Sequence, residues 1–330
     1  MPARLVFLTG ATGFIGSRLA RRLSARGDRL RCLVRRGTDT FGLESLGAEL
    51  VVGDLASPAD HAGAMAGVDL AFHLAATYDI GVVDSASLDR TNIEGTRAFL
   101  AAVERTGIPR AVYVSSTVAL GPAPAGAAEG SADTEYRGPY PSAYHRTKAE
   151  AHRLARGAQR HGLPLIIACP AYVYGPGDLG PGGRFTEDIL RGRVPGLLAR
   201  PAQFSFVHVD DVVDGLLRLG DVGRTGATYV LDGETRDIND FAAEVARIAE
   251  RRAPLLRFPV PLAALTGRAL DAVTRLTGMR FPISRESVAV AARDRWLHDA
   301  SASRAELDWS PRPLAEGLPE TVAWHRAHVR

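Results

Sequence analysis

The first 170 residues alternate short apolar runs with longer segments whose apolar residues recur at helical spacing. Residues 4–10 form the first apolar run, and in the segment 14–27 the residues Ile15, Leu19 and Leu23 lie on one stripe of a helix. Similar apolar runs recur at residues 29–35, 48–55, 68–76, 110–116 and 163–170. Strands that alternate with helices predict an α/β fold, a doubly wound parallel sheet with helices on both faces.

The pattern loosens after residue 170, where the apolar runs are farther apart. The elements expected there are strands at residues 205–209 and 227–233, and helices at residues 237–252, 261–277 and 313–328. We therefore expect one domain from residues 1–170, to which residues 205–232 contribute. Residues 171–204 and 233–330 are expected to form a smaller C-terminal lobe.

Three glycines follow the first predicted strand, in the sequence "TGATGFIG". Gly10 lets the chain turn out of the strand, Gly13 lets the backbone approach a pyrophosphate, and Gly16 lets the helix pack closely on the sheet. Such a turn can be purely structural, but its place after the first strand of a strand–helix repeat favours a dinucleotide site. The loop residues assigned to this site with the glycines are Thr12, Phe14 and Ile15.

The end of the second predicted strand indicates which dinucleotide binds. An acidic residue there would bind the ribose hydroxyls of NAD and repel a 2′-phosphate, but this strand ends with Arg35 and Arg36. A guanidinium binds phosphate through its charge and its paired donors. We expect NADPH or NADP+, with NAD less favoured, although arginine is abundant throughout the chain. Asp54, at the end of the third strand, is placed to meet the adenine amino group.

The chain contains a single lysine. Its 40 basic residues are 39 arginines and Lys148, which lies four residues after Tyr144. On a helix this spacing puts both side chains on one face. An ammonium near a phenol lowers the pKa of the phenol, which can then act as general acid toward a carbonyl oxygen. An ammonium can also bond a ribose diol at close range, which a broad, planar guanidinium does less well.

A hydroxyl group is expected at the end of the strand that precedes this helix. In "AVYVSSTVALG" the apolar run ends with Ser115, Ser116 and Thr117. A hydroxyl there could hydrogen-bond a substrate carbonyl and orient it toward Tyr144. The spacing does not choose among the three residues, and the same residues can also simply cap the strand.

Charge and composition argue against several other classes of protein. The formal net charge is +3 and acids balance the arginines, so no nucleic-acid partner is expected. Cys32 and Cys169 lie in apolar runs, which favours buried free thiols over a disulfide. Metal-ligand spacing is missing, and "FVHVDD" is explained by a strand that ends in a helix N-cap, so no metal is expected. The opening apolar run is too short to cross a bilayer, and we expect a cytoplasmic protein with no membrane partner.

Together the motifs resemble those of the extended short-chain dehydrogenase/reductase family, within the NAD-dependent epimerase/dehydratase superfamily. They are "TGATGFIG", "GDL", "FHLAA", "TNIEGT", "YVSSTVALG", "YHRTK", "CPAYVYGPGD", "FVHVDDV" and "DASASRAELDWSPRPLAEGLPETVAWHR". Within the family, "CLVRRGTD" is similar to the dihydroflavonol-reductase and 3β-hydroxysteroid-dehydrogenase branch. The resemblance implies a Rossmann domain that binds NADP, a C-terminal substrate-binding lobe, and a homodimer formed through helices at roughly 86–106 and 141–161.

The resemblance also assigns individual site residues. Counting back five residues from Gly121 gives Ser116 as the catalytic hydroxyl, beside Thr117. Asn92 matches the asparagine on the helix that faces the nicotinamide side, where it would support the proton path. The further cofactor contacts implied are Leu55, Leu74, Ala75, Ala76, Tyr144, Lys148, Pro170 and Val173. The substrate contacts implied are Ser116, Thr117, Tyr144 and Tyr172.

We consider three hypotheses for the function. The first is an NADPH-dependent carbonyl reductase in which Tyr144 donates the proton, acting on a small carbonyl or alcohol substrate with an apolar aromatic or alicyclic body. The second is a nucleotide-sugar epimerase or dehydratase with tightly bound NAD. It is disfavoured because Phe204 and Ser205 stand where such enzymes carry an arginine for the diphosphate. The third is a non-enzymatic dinucleotide sensor or scaffold, in which the tyrosine or lysine is commonly lost.

Overall fold

The computed structural model describes residues 3–81, 84–194, 196–254, 256–292 and 294–328. The elements up to residue 170 are β1 (Leu5–Thr9), α1 (Phe14–Ala25), β2 (Arg29–Val34), α2 (Phe41–Glu44), β3 (Glu49–Val52), α3 (Pro58–Ala64), β4 (Leu70–His73), α4 (Ser85–Leu88), α5 (Gly95–Thr106), β5 (Ala111–Val114), α6 (Ala143–Arg160) and β6 (Leu165–Pro170). A π-helical stretch, Asp89–Glu94, joins α4 to α5, and a short 3₁₀ turn, Thr117–Ala119, follows β5.

The elements after residue 170 are shorter and more varied. They are β7 (Tyr172–Tyr174), α7 (Pro181–Leu190), β8 (Leu197–Leu198), β9 (Gln203–His208), α8 (Val209–Val222), β10 (Thr228–Leu231), β11 (Glu234–Asp237), α9 (Ile238–Ile248), β12 (Arg257–Phe258), α10 (Val260–Thr277), α11 (Arg285–Ala291), β13 (Arg295–Trp296), α12 (Ser301–Leu307) and α13 (Leu314–His328). Across the described residues, no helix combines the length and apolar character needed to cross a bilayer.

The central sheet of the described chain has seven strands in the order β10-β6-β5-β4-β1-β2-β3. Each strand pairs with its neighbours in parallel. The predicted doubly wound α/β fold is thus confirmed. Because the strands are parallel, their carboxyl ends meet at one edge of the sheet, where ligands bind in such folds. The residues that directly follow β1, β2, β4 and β5 at this edge are Gly10, Arg35, Leu74 and Ser115.

Helices cover both faces of the central sheet. Along β1, Val6 and Leu8 point into one core, while Phe7 points into the other. Helices α1 and α8 pack on the first face, and α3, α5 and α6 on the second. Burial on both faces explains why the strands read as continuous apolar runs. The predicted stripe on α1 is also confirmed, since Leu19 and Leu23 are fully buried.

A second, smaller sheet forms the centre of the C-terminal part. Its order is β11-β9-β13, and β7 pairs in parallel with β9. Phe204, Phe206 and Phe241 fill its core, with the rings of Phe206 and Phe241 stacked at 4.4 Å. Both strands expected at residues 205–209 and 227–233 form, but β9 belongs to this second sheet and β10 to the central one.

The C-terminal tail returns to the central sheet. Helix α12 packs against β10 and α8, and the Ser303 hydroxyl donates to the Val230 carbonyl oxygen at 2.5 Å. Trp309 Nε1 donates to the Asp211 carbonyl oxygen at 2.8 Å. The two parts of the chain are therefore interleaved in sequence, and the division into residues 1–170 with 205–232, and 171–204 with 233–330, stays a prediction.

Candidate active site

The glycine turn brings β1 and the segment after β4 into close contact. Gly10 has a φ of +71°, and a Cβ there would lie 2.7 Å from the backbone nitrogen of Ala75. A Cβ on Gly16 would overlap the Gly10 carbonyl oxygen. Larger residues at either position would force the turn open. The structure thus joins three of the predicted cofactor residues in one tight turn.

Helix α1 begins directly at this turn and lacks a side-chain cap. Its N-cap is Gly13, no side chain among the described residues caps its first N–H groups, and its first turn contains no acidic residue. Thr12 and Gly13 are exposed, and Phe14 and Ile15 are half-buried. Free N–H groups and the helix dipole attract an anion at such a terminus. The turn therefore fits the pyrophosphate of a dinucleotide.

Positively charged groups lie at the far end of this edge. Arg35 and Arg36 follow β2 and are both exposed. The carboxylate of Asp54, after β3, pairs with Arg90 and accepts from the Ala56 backbone N–H at 3.0 Å. The adenine contact expected of Asp54 stays a prediction.

Leu55, the next predicted contact, is partly buried against the start of α5. A Cβ added to Gly95 would lie 2.8 Å from a methyl carbon of Leu55. The loop after β3 and the start of α5 are therefore in close contact. The Leu55 carbonyl oxygen lies 2.7 Å from Nε2 of His61, which is fully buried. These contacts hold the loop after β3 in place, and a cofactor contact by Leu55 stays a prediction.

Tyr144 lies in the first turn of α6 and contacts Ser116. The Ser116 hydroxyl lies close enough to the Tyr144 phenol to lower its pKa, and Ser116 Oγ lies 3.4 Å from the Pro170 carbonyl oxygen. Ser115 instead bonds to Nδ1 of His152 at 2.9 Å in a buried position. Thr117 is buried in the 3₁₀ turn. Among the three hydroxyls left open by the sequence, the geometry therefore favours Ser116 as the partner of Tyr144.

Lys148 is buried one helical turn further along α6. The residue is 3% exposed, and its ammonium donates to the Val114 carbonyl oxygen at 3.1 Å. It also lies 5.4 Å from the centre of the Tyr113 ring. Burial lowers the pKa of Lys148 from 10.5 to about 8.

The effect of this lysine on Tyr144 differs from the expectation. Desolvation raises the pKa of the Tyr144 phenol, and the nearby Ser116 hydroxyl lowers it in part. The predicted lowering by Lys148 was wrong for the protein alone, because the ammonium is directed at the Val114 carbonyl rather than at the phenol. A phenol with a raised pKa stays protonated at neutral pH and so remains a proton donor.

Asn92 ties the segment after β4 to α6. Its side-chain nitrogen donates to the Thr77 carbonyl oxygen at 3.0 Å and to Thr147 Oγ1 at 2.9 Å. Its side-chain oxygen accepts from the Thr77 backbone N–H at 2.8 Å. Asn92 lies in the π-helical stretch, a distortion often found at functional sites. The proton-path role expected of Asn92 stays a prediction.

The other predicted contacts surround the same edge. Leu74, Ala75 and Ala76 follow β4, and the Ala75 N–H donates to Thr9 Oγ1 at 3.2 Å. Pro170 ends β6 beside Ser116, while Val173 lies in β7 and pairs with β9 of the second sheet. The cofactor contacts expected of these residues stay predictions.

A cavity of about 600 Å³ lies in the C-terminal part of the molecule. Its lining is mainly apolar and includes Tyr78, Tyr172, Phe185, Phe204, Phe258 and Phe281. The ring of Tyr78 lies 4.7 Å from the ring of Tyr144. The cavity therefore adjoins the Ser116–Tyr144 pair through Tyr78. Tyr172 lines the cavity and Thr117 does not, and the substrate contacts expected of both residues stay predictions.

Two residues at this boundary were missed by the sequence analysis. Tyr78 follows the "FHLAA" motif by two positions, and its place after β4 was the only available signal. Glu286 accepts from the backbone N–H groups of Gly81 and Ala143, both at 3.1 Å. Nothing local in the sequence marks Glu286, because its partners lie more than a hundred residues away.

The sequence "FVHVDD" forms the N-cap that was expected. His208 caps α8, with its Nδ1 accepting from the Asp210 backbone N–H at 3.3 Å. Glu320 lies beside His208 and Asp210. One imidazole nitrogen of His208 and one carboxylate oxygen from each of the two acids lie within 4.8 Å of one another. Arg18 pairs with Asp210 at 3.1 Å and Arg312 with Glu320 at 3.4 Å. These arginines already balance the carboxylates, which disfavours a cation there.

Comparisons with known proteins agree with this geometry. The profile of the NAD dependent epimerase/dehydratase family matches residues 6–231. A candidate dihydroflavonol 4-reductase of Synechocystis is 30% identical, covering 98% of this chain and 94% of that protein. Sterol demethylase protein B of Methylococcus capsulatus is 32% identical, covering 97% of each chain. The crystal structure of gox2253 is 32% identical, with a TM-score of 0.82 and 98% of each chain covered.

These likenesses extend over nearly the whole chain, and the family match includes the glycine turn, Ser116, Tyr144 and Lys148. The family predicted from the motifs is thereby confirmed. The chain belongs to the NAD-dependent epimerase/dehydratase family, and it is an NAD(P)-dependent oxidoreductase of the extended short-chain dehydrogenase/reductase type.

Proposed function

We propose that the protein is an NADPH-dependent carbonyl reductase that converts a ketone or aldehyde to an alcohol. The observation that carries the proposal is the neighbouring Ser116–Tyr144 pair beside a mainly apolar cavity. The pair provides a proton donor and an oxygen-binding group, and the cavity provides room for an apolar substrate body.

The glycine turn would hold NADPH, which would supply a hydride to the carbonyl carbon. The C=O electron pair moves to the oxygen, which Ser116 holds by a hydrogen bond and Tyr144 protonates. The Tyr144 phenol, whose pKa burial raises, is protonated at neutral pH and can donate the proton. Lys148, one helical turn from Tyr144, would bind the ribose hydroxyls of the cofactor. Asn92 holds the Thr77 backbone and α6 together during the transfer.

The preference for NADPH rests on Arg35 and Arg36. Both are exposed at the end of β2, where a 2′-phosphate on the adenosine ribose would lie. Replacing both by alanine should raise the KM for NADPH by about 10-fold or more while leaving that for NADH nearly unchanged, since only NADPH carries the phosphate. Equal effects on the two cofactors would contradict the assignment.

The substrate class rests on the lining of the cavity. Tyr78, Tyr172 and Phe204 supply aromatic surface that suits an aromatic or alicyclic body. The sterol named in one relative is a body of this kind. The predicted homodimer and the cytoplasmic location stay predictions.

The alternative function is a nucleotide-sugar epimerase or dehydratase that recycles tightly bound NAD, as the family name allows. Phe204 stands where nucleotide-sugar enzymes carry the arginine that binds the diphosphate, and it lines the cavity. Ser205 is buried, and its hydroxyl accepts from the Gly233 backbone N–H at 2.7 Å. An apolar wall there favours the reductase.

The test is a panel of cyclic, aromatic and steroidal ketones and the matching aldehydes, followed by loss of NADPH absorbance, with NADH in parallel. We expect turnover with NADPH that the Tyr144→Phe variant loses by about 10³-fold, while NADPH binding measured by fluorescence is retained. Protein that purifies with one equivalent of NAD and ignores added NADPH would overturn the proposal in favour of the alternative. Unchanged turnover in Tyr144→Phe would overturn the proposed role of the phenol.

A further inference from the structure

Helix α10 carries an apolar stripe on its outer surface. Leu262, Leu265 and Leu276 are 51%, 63% and 87% exposed, respectively. Ala269, Ala272 and Val273 continue the stripe at spacings of three and four residues, and all three are exposed. The residues of one helix face recur at this spacing, so the stripe is continuous along the helix. A continuous stripe of this kind on a surface helix indicates a binding surface.

The opposite face of α10 forms part of the cavity wall. Ala263, Asp271 and Thr274 line the cavity. Asp271 is 8% exposed and accepts from the Arg285 backbone N–H at 3.1 Å. Gly267 packs against the backbone of Ser284, where a Cβ would come within 2.6 Å. One helix therefore separates the cavity from whatever contacts the outer stripe.

The segment of the sequence that contains the stripe is basic. Residues 251–280 contain six arginines and one acid, Asp271, a formal charge of +5; because the whole chain carries +3, the remainder sums to −2. Arg268 and Arg275 are exposed and lie along one border of the stripe, at the same helical spacing. Asp271, the one acid, is buried on the other face. The exposed charge of this segment is therefore of one sign.

We propose that α10 docks on the surface of an anionic lipid bilayer, with its leucines in the acyl boundary and its arginines at the lipid phosphates. Leucines on one face and arginines at its border are the features of a helix that lies in a membrane interface. Two copies of such a basic face would repel each other, so charge complementarity favours an anionic surface over a second copy of the chain. This differs from the absence of a membrane partner expected from the sequence.

The docked helix would place the cavity directly above the lipid. An apolar ketone dissolved in the bilayer would then reach the cavity without crossing water. Delivery of a ketone from the bilayer rests on the proposed reductase function, whereas the docking of α10 does not. The two can therefore fail independently.

The docking is tested by co-sedimentation of the full chain with phosphatidylcholine vesicles, with and without about 30% phosphatidylglycerol, without substrate or NADPH. We expect at least about tenfold more binding to the anionic vesicles at about 0.1 M salt, with most of it lost at about 0.5 M salt. The double variant Leu265→Glu/Leu276→Glu should lower binding by about tenfold or more. The matched control is Val222→Glu, at the end of α8, because Val222 is 63% exposed, as is Leu265. It should bind like the wild type.

Thermal unfolding of each variant shows whether the fold is kept, and light scattering gives its mass in solution. Equal binding to neutral and anionic vesicles, or binding that survives the double change, would overturn the proposal. A dimer that the double change converts to monomer would also overturn it, by assigning the stripe to a second copy. Reductase activity on a water-soluble ketone should be the same in the wild type and the double variant, and only activity on a vesicle-dissolved ketone should fall.

Discussion

The carboxylate of Glu286 accepts a hydrogen bond from the backbone N–H of Ala143, the residue directly before Tyr144, at 3.1 Å. Its other oxygen accepts from the Gly81 N–H, also at 3.1 Å. One side chain of α11 thereby holds both the first turn of the helix that carries Tyr144 and the loop that carries Tyr78. A carboxylate at a helix N-terminus is also favoured by the helix dipole.

Removing this carboxylate should misplace Tyr144. We expect Glu286→Ala to lower kcat by about 10- to 100-fold, because small displacements of a catalytic group have effects of this size. Glu286→Gln, which keeps one acceptor oxygen, should retain an intermediate rate. Steady-state kinetics would measure both, with the KM for NADPH close to that of the wild type. The control is Glu104→Ala, an exposed glutamate on α5. A kcat for Glu286→Ala equal to that of this control would refute the positioning role.

The neighbouring serines should separate catalysis from stability. Ser116 contacts Tyr144, whereas Ser115 bonds to buried His152. Ser116→Ala should lower kcat by about 10²- to 10³-fold, as loss of an oxygen-binding donor does, with little change in the free energy of unfolding. Ser115→Ala should leave kcat within a few-fold but cost about 1–3 kcal/mol, because it leaves a buried imidazole unpaired. The assignment fails if the two variants show the reverse pattern in kinetics and urea unfolding.

Lys148 should lower the stability of the protein at neutral pH. Its pKa is lowered to about 8 by burial, so between this value and 10.5 the unfolded chain binds more protons than the folded one. The loss of folding stability caused by the buried ammonium is complete below the folded-state pKa, and it disappears as the pH rises through 10.5. Lys148→Met should therefore raise the free energy of unfolding at pH 7 by up to about 3 kcal/mol, less about 1 kcal/mol for the lost hydrogen bond to Val114.

Urea unfolding of the wild type and Lys148→Met at about pH 7 and about pH 10 would measure this difference. The two stabilities should converge at the higher pH, and the variant should be inactive at both. A variant that is less stable at both pH values would show that the ammonium stabilises the fold.

Buried neutral histidines should make the protein sensitive to acid. Burial lowers the pKa of His298 to about 4 and that of His145 and His152 to about 3, from 6.5. The pKa values of these histidines are lower in the folded than in the unfolded protein. The stability that the neutral imidazoles contribute is therefore present above pH 6.5 and is lost as the pH falls toward the folded-state pKa values. The melting temperature should therefore fall steadily from about pH 7 to about pH 4.

His298→Gln should flatten this fall in a series of thermal unfolding measurements. The amide can still donate to the Gly121 carbonyl oxygen, which His298 bonds at 2.8 Å, but it does not titrate. His161→Gln, at an exposed position, serves as the control and should keep the wild-type slope. Identical slopes for the two variants would show that His298 does not contribute.

Much of the fold was determined by the sequence alone. The strand–helix alternation, the stripe of Leu19 and Leu23, the glycine turn and the four-residue spacing of Tyr144 and Lys148 are local patterns. Each depends on the period of a helix or strand or on the freedom of a glycine, and these properties act over a few residues. The parallel sheet then follows, because strands joined by helices pair in parallel.

The tertiary structure alone decided the details of the site. It paired Ser115 with His152, directed the Lys148 ammonium to Val114, and raised the pKa of Tyr144 by burial. It also placed β9 in the second sheet and brought Glu286 to Ala143, 143 residues away along the chain. Burial and contact depend on which distant segments pack together, and no local period or spacing contains that information.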